Sequence, residues 1–152
     1  LIARDGETYR DSLEELARSL GVENNVRWLN RFLELDELLD LIEAADIYLT
    51  PYPGAAQSTS GTLAYAVALG KAVISTPYVH AEELLGDGHG VLVPVEHPDA
   101  IAREVSSLLG DPVRLQALQH RAYARGRTMT WACYGEKMVR LAPALRAQPV
   151  RN

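Results

Sequence analysis

Cysteine occurs once in the chain, at Cys133, which excludes an internal disulfide and fits a reducing compartment, so the expected location is cytoplasmic. Lysine occurs only at Lys71 and Lys137, and the other thirteen basic residues are arginines that form no stripe. Fifteen basic residues against twenty acids leave a net charge of −5, a field that steers neither nucleic acid nor an anionic membrane toward the protein. No apolar run approaches the roughly 20 residues of a membrane span, so no transmembrane segment is expected, and no signal peptide is recognisable. The four histidines (His80, His89, His97 and His120) share no ligand spacing with one another or with Cys133, so no metal site is expected. No D-x-D pair suggests a metal-bound diphosphate. The first residue is Leu1, and the opening LIARDGETYR reads as the middle of something longer.

What is present is an ordinary globular composition, 47% apolar and 23% charged over 152 residues, enough for one domain with a real core. Helical spacing of Leu13, Leu16, Ala17 and Leu20 predicts a helix from about Glu7, closed by Gly21. VRWL (26–29) reads as a short strand, LDELLDLIEAA (35–45) as an amphipathic helix and DIYLTP (46–51) as a buried strand stopped by Pro51. A helix from about Ser60 to Leu69 ends at Gly70, and KAVIST (71–76) is the next strand, apolar and β-branched as parallel strands buried on both faces are. VLVP (91–94) follows the turn-rich GDGHG, and helices start at His97-Pro98-Asp99, at Asp111-Pro112 and at Trp131. Alternating strands and helices define an α/β fold, a Rossmann-like three-layer, doubly wound parallel sheet in which the strands at 46–51 and 71–76 are central neighbours.

In such sheets ligands sit beyond the carboxyl ends of the strands. That rim receives the loop from Tyr52 to Thr62, and also Tyr78 and His80 after the second strand. The stretch QSTSGT (57–62) sets small hydroxyl residues and Gly61 at the mouth of a helix, where unpaired N–H groups and the dipole attract an anion. The structural alternative is a plain connection with Ser60 as N-cap. Other motifs carry less. GDGHG is followed by a strand rather than a helix, which defeats the dinucleotide geometry. Ser60, Asp87 and His89 follow a hydrolase order, but no G-x-S-x-G elbow surrounds Ser60. Trp28, Trp131 and Tyr134 read as packing residues.

Strand, proline, loop, small-residue helix start and then A-x-x-x-G-K-A-V-I-S-T together resemble the donor-binding, C-terminal half of family-4 glycosyltransferases of the GT-B architecture. ELLDLIEAADIYLTP (37–51), AEELLGDGHGVLVP (81–94), AIAREVSSLLGDPVRLQAL (100–118) and MTW (129–131) resemble further family segments in the right order. The family's pair of glutamates, with seven residues between them, falls here on Gln57 and Tyr65, so both acids are replaced. Its aromatic-glycine pair is Thr59-Ser60, with Gly61 one step later. The resemblance implies a UDP-, GDP- or ADP-sugar as donor and no cofactor. Its diphosphate would lie on the N–H groups of Ser60, Gly61 and Thr62 with the hydroxyls of Ser58 and Ser60. Gln57 would touch the transferred sugar as the catalytic-position residue, and Tyr65 the ribose.

The family's upstream Arg and Lys against the diphosphate have no marked counterpart, Arg4, Arg10 and Arg31 being the substitutes at hand. The resemblance further implies that the chain starts inside the donor domain and lacks its first strands and the acceptor domain. An exposed sheet edge, and no turnover by the chain alone, would follow. Two function classes follow: part of a retaining hexosyltransferase acting on a carbohydrate or lipid-linked acceptor, or a non-catalytic nucleotide-sugar-binding or regulatory module on the same fold. A nucleotide-sugar epimerase is a lesser third.

Overall fold

The computed structural model describes residues 2–54 and 58–146, which fall into two compact units divided after Leu33. The first unit holds helix α1 (Ile2–Ser19) and a 3₁₀ turn, Glu23–Asn25. Gly21 ends α1 in the left-handed region (φ 67°), with its N–H on Arg18 O and that of Val22 on Ala17 O, the paired bonds of a Schellman stop. The expected strand at 26–29 does not form. A strand exists only as part of a ladder, and among the described residues nothing pairs with this segment.

The second unit carries, in chain order, α2 (Leu35–Ala44), β1 (Ile47–Thr50), α3 (Gly61–Ala68), β2 (Ala72–Ser75), α4 (Val79–Leu85), β3 (Val91–Leu92), α5 (Pro98–Gly110), α6 (Pro112–Arg127) and α7 (Trp131–Arg146). The sheet runs β1-β2-β3, all parallel, with Ile47 opposite Ala72 and Ile74 opposite Val91. Every residue of β2 is buried, as its β-branched run predicts. Alternate side chains of β2 feed two cores. Val73 packs with Leu63, Ala66 and Val67 of α3, Ile42 of α2 and Leu84 of α4. Ala72 and Ile74 pack with Leu108 of α5 and Leu118 of α6 on the other face. The expected three-layer, doubly wound arrangement is therefore present. One expectation needs correcting: β2 alone is central, and β1 lies at the sheet edge, its outer side unpaired among the described residues. No helix among them is long and apolar enough to cross a membrane.

Two glycines fix α3. Gly70 (φ 72°) ends it with a second Schellman stop, Gly70 N on Val67 O and Lys71 N on Ala66 O. Gly126 of α6 lets the two helices touch, because a Cβ there would lie 2.6 Å from Ala68 Cα and 2.9 Å from Val67 O. In an unhindered helix Gly→Ala stabilises by about 1 kcal/mol. Here the clash reverses the sign, so Gly126→Ala is expected to destabilise by about 2 kcal/mol in urea unfolding; a stabilised variant would contradict the close helix crossing.

Candidate functional site

The carboxyl rim of the sheet is built from a repeated Thr-Pro-Tyr. Thr50-Pro51-Tyr52 leaves β1 and Thr76-Pro77-Tyr78 leaves β2, each closed as a three-residue turn by a bond from the Tyr N–H to the Thr carbonyl at 3.1 Å. Proline suits the centre of both turns because its ring fixes φ and no N–H is lost from the ladder. The two turns are tied together. Ser75 Oγ donates to Thr50 O at 3.1 Å, Thr76 Oγ1 donates to Tyr52 O at 2.7 Å, and the Tyr52 and Tyr78 rings meet edge to face at 5.2 Å.

Above this rim α3 begins. Ser60 is its N-cap, in extended conformation (φ −141°, ψ 111°), and its Oγ accepts from Leu63 N at 3.3 Å. The backbone N–H of Ser60, expected to face a phosphate, donates instead to His80 Nδ1 at 2.9 Å. The reason is placement: α4 starts directly after the Thr-Pro-Tyr turn and carries His80 under the cap. The N–H groups of Gly61 and Thr62 have no acceptor among the described residues, as the first turn of a helix leaves them. Gly61 is exposed, and a Cβ built on it would find no atom of the described residues within 4 Å. Ser58 and Thr59 are exposed before it. Gln57 lies outside the described residues.

Tyr65 is 37% exposed and so lies outside the core. It lines a recess of about 350 Å³ with Ala64, Ala68, Gly126, Arg127, Met129 and Thr130. Tyr52 stands on the rim at 38% exposure, but Tyr78, expected beside it, is buried at 1% within the α3–α4 core, because α4 turns its ring inward against Leu63 and Leu84. Its hydroxyl has no hydrogen-bond partner among the described residues.

The nearby Tyr48 of β1 is held above the usual tyrosine range chiefly by burial. A hydrogen bond with the Thr62 side chain pulls the other way, and Tyr52 and Tyr78 add to the upward push.

Several of the described cations are engaged elsewhere. Lys71 Nζ donates to Glu43 O at the end of α2, at 2.5 Å. Arg121, Arg125 and Arg127 of α6 donate to the carbonyls of Gly88, Glu83 and Ala68. Of the substitutes considered from sequence, Arg10 pairs with Asp11 and Glu14 of its own helix. Two features escaped sequence reading, α4 and the acceptor role of His80. VHAEELL was helical in composition, but Tyr78 supplies no side-chain cap to announce it, and a bond spanning twenty residues leaves no local signal.

This α/β fold is that of the C-terminal half of the GT-B architecture. It is seen in the C-terminal domain of a glycosyl transferase group 1 family protein from Francisella tularensis (TM-score 0.71, 20% identity, covering 80% of this chain and 62% of that one). It is seen again in HepE of Anabaena, solved in complex with UDP (TM-score 0.74, 18% identity, 91% and 37% covered). In sequence the chain is 32% identical over 145 residues to the D-inositol 3-phosphate glycosyltransferase of Kineococcus radiotolerans, 86% of this chain and 32% of that protein. The family described as Glycosyl transferases group 1 matches residues 1–111, and the chain belongs to it. It spans 26% and 32% of the length of the curated relatives it matches.

Because Tyr48 binds its proton more tightly folded than unfolded, its contribution is complete below about pH 10 and is lost as pH rises through the raised folded value. Tyr48→Phe is expected to cost about 1 kcal/mol at neutral pH and to flatten the alkaline fall in stability, as followed by urea unfolding between pH 7 and 11. An unchanged alkaline limb would exclude Tyr48 as its source.

Proposed function

We propose that this domain holds the nucleotide-sugar donor of a glycosyltransferase, with the donor's diphosphate on the N–H groups of Gly61 and Thr62. The observation that carries the reading is the N-terminus of α3: capped from within by Ser60, open in front of Gly61, and set on the carboxyl rim of a parallel sheet. A helix N-terminus is equivalent to about half a positive charge, and two converging N–H donors suit one phosphate. The UDP bound to HepE, a protein of like fold, and the glycosyltransferase activity named for the Kineococcus relative support the same assignment.

In this reading the Ser58 hydroxyl adds to the cradle, Tyr65 contacts the ribose from α3, and Gln57 contacts the transferred sugar. The leaving nucleotide then departs as an anion stabilised where it already sits, which is the largest contribution such sites make. The donor is a UDP-, GDP- or ADP-sugar, the product a hexose retained in configuration on a carbohydrate or lipid-linked acceptor, and no cofactor is needed.

One observation favours a second reading. Gln57 and Tyr65 stand where the family's glutamates are expected, and a neutral amide cannot stabilise developing positive charge as a carboxylate does. A nucleotide-sugar-binding module without turnover would share the same cradle.

Titration calorimetry of the intact protein with UDP-, GDP- and ADP-sugars distinguishes these readings. Gly61 has a conformation any residue adopts and open space before it, so Gly61→Val leaves the fold intact. It is expected to weaken donor binding at least tenfold, since its side chain stands where the phosphate approaches; unchanged affinity would remove the cradle. Gln57→Ala is expected to slow transfer with little change in affinity. Absence of transfer from the wild type, with donor binding retained, would select the module.

A further inference from the structure

His80 and Ser60 lie twenty residues apart in sequence and meet at 2.9 Å, the histidine in the first turn of α4 and the serine at the cap of α3. The contact fixes the ring's state. Nδ1 accepts, so the proton of the neutral imidazole is on Nε2. Ser60 is only 6% exposed, so without His80 its N–H would face no acceptor where water reaches poorly.

The bond also has a geometric effect. It holds the peptide plane between Thr59 and Ser60, and with φ −141° and ψ 111° fixed at Ser60, the direction of the next two N–H groups follows. On the other side, Ser60 Oγ accepts from Leu63 N and lies 3.4 Å from Thr62 Oγ1. His80 is thus the link between the turn leaving β2 and the peptide that opens α3.

We infer that His80 is a positioning residue for the donor's diphosphate, an inference that rests on the donor reading above. It does not touch the ligand. It removes Ser60 N–H from the set of phosphate donors and aims those of Gly61 and Thr62 at a single anion. The segment leaving β2 thus bears on the site through His80.

The test uses His80→Ala, His80→Asn and His80→Gln in the full chain. Asparagine places Oδ1 where Nδ1 stood, and glutamine places its oxygen one bond too far. Calorimetry with UDP-glucose, GDP-mannose, ADP-glucose and inorganic pyrophosphate is read beside amide hydrogen exchange at Ser60. His80→Ala is expected to weaken whichever probe binds by about fivefold to tenfold and to speed Ser60 exchange about tenfold. His80→Asn is expected to recover most of both, and His80→Gln neither. A merely structural role would move all three variants in step with their stability rather than with acceptor placement.

Wild-type affinity in His80→Ala, or an asparagine variant no better than alanine, would overturn the inference while leaving the donor reading intact. A wild type that binds none of the four probes would instead strike the donor reading, and the inference with it, whatever the Ser60 amide shows.

Discussion

The approach of Gly126 to the backbone of Ala68 sets where α3 lies against α6, and much of the molecule depends on that placement. Leu63, Ala66 and Val67 are all fully buried, so the helix cannot roll or slide without opening a cavity. Losing a buried side chain of that size costs about 2–5 kcal/mol, more than any single rim hydrogen bond contributes. Its C-terminus is stopped at Gly70 and its N-terminus is held by Ser60 and His80. A helix fixed at both ends presents its first N–H groups in one direction only, and that rigidity makes backbone atoms usable as recognition groups.

Charge is distributed to serve this frame. Arg121, Arg125 and Arg127 tie α6 to neighbouring segments by donating to carbonyls, with Arg127 also lying over the Tyr123 ring at 4.6 Å. Lys71 faces the carbonyl end of α2, where the dipole favours a cation. In the proposed cradle, anion recognition falls to the backbone N–H groups that open α3. A net charge of −5 does not oppose this. Surface charges farther than about 8–10 Å are screened at physiological salt, whereas the N–H groups act at contact distance.

Much of this arrangement was legible in the residues. The apolar, β-branched KAVIST could only be a strand buried on both faces, and Gly21, Gly70, Pro98 and Pro112 marked helix ends where the structure has them. Ser60 was recognisable as a cap from its place before GTLAYAVA. What failed did so for identifiable reasons. VRWL has a strand's composition but no ladder. Tyr78 looked like a rim aromatic because α4 lacks a capping side chain to reveal that the chain turns inward there. The bond from Ser60 to His80 is a product of tertiary structure, and only the packing of α4 beneath α3 brings its partners together.

A crystal structure of the intact protein with a nucleoside diphosphate bound is the most direct measurement of whether the α3 N-terminus is a phosphate cradle. The diphosphate is expected with non-bridging oxygens about 3 Å from the nitrogens of Gly61 and Thr62, with Ser60 N–H still on His80 Nδ1. A diphosphate bound elsewhere on the rim, with the first turn of α3 facing only solvent, would contradict it.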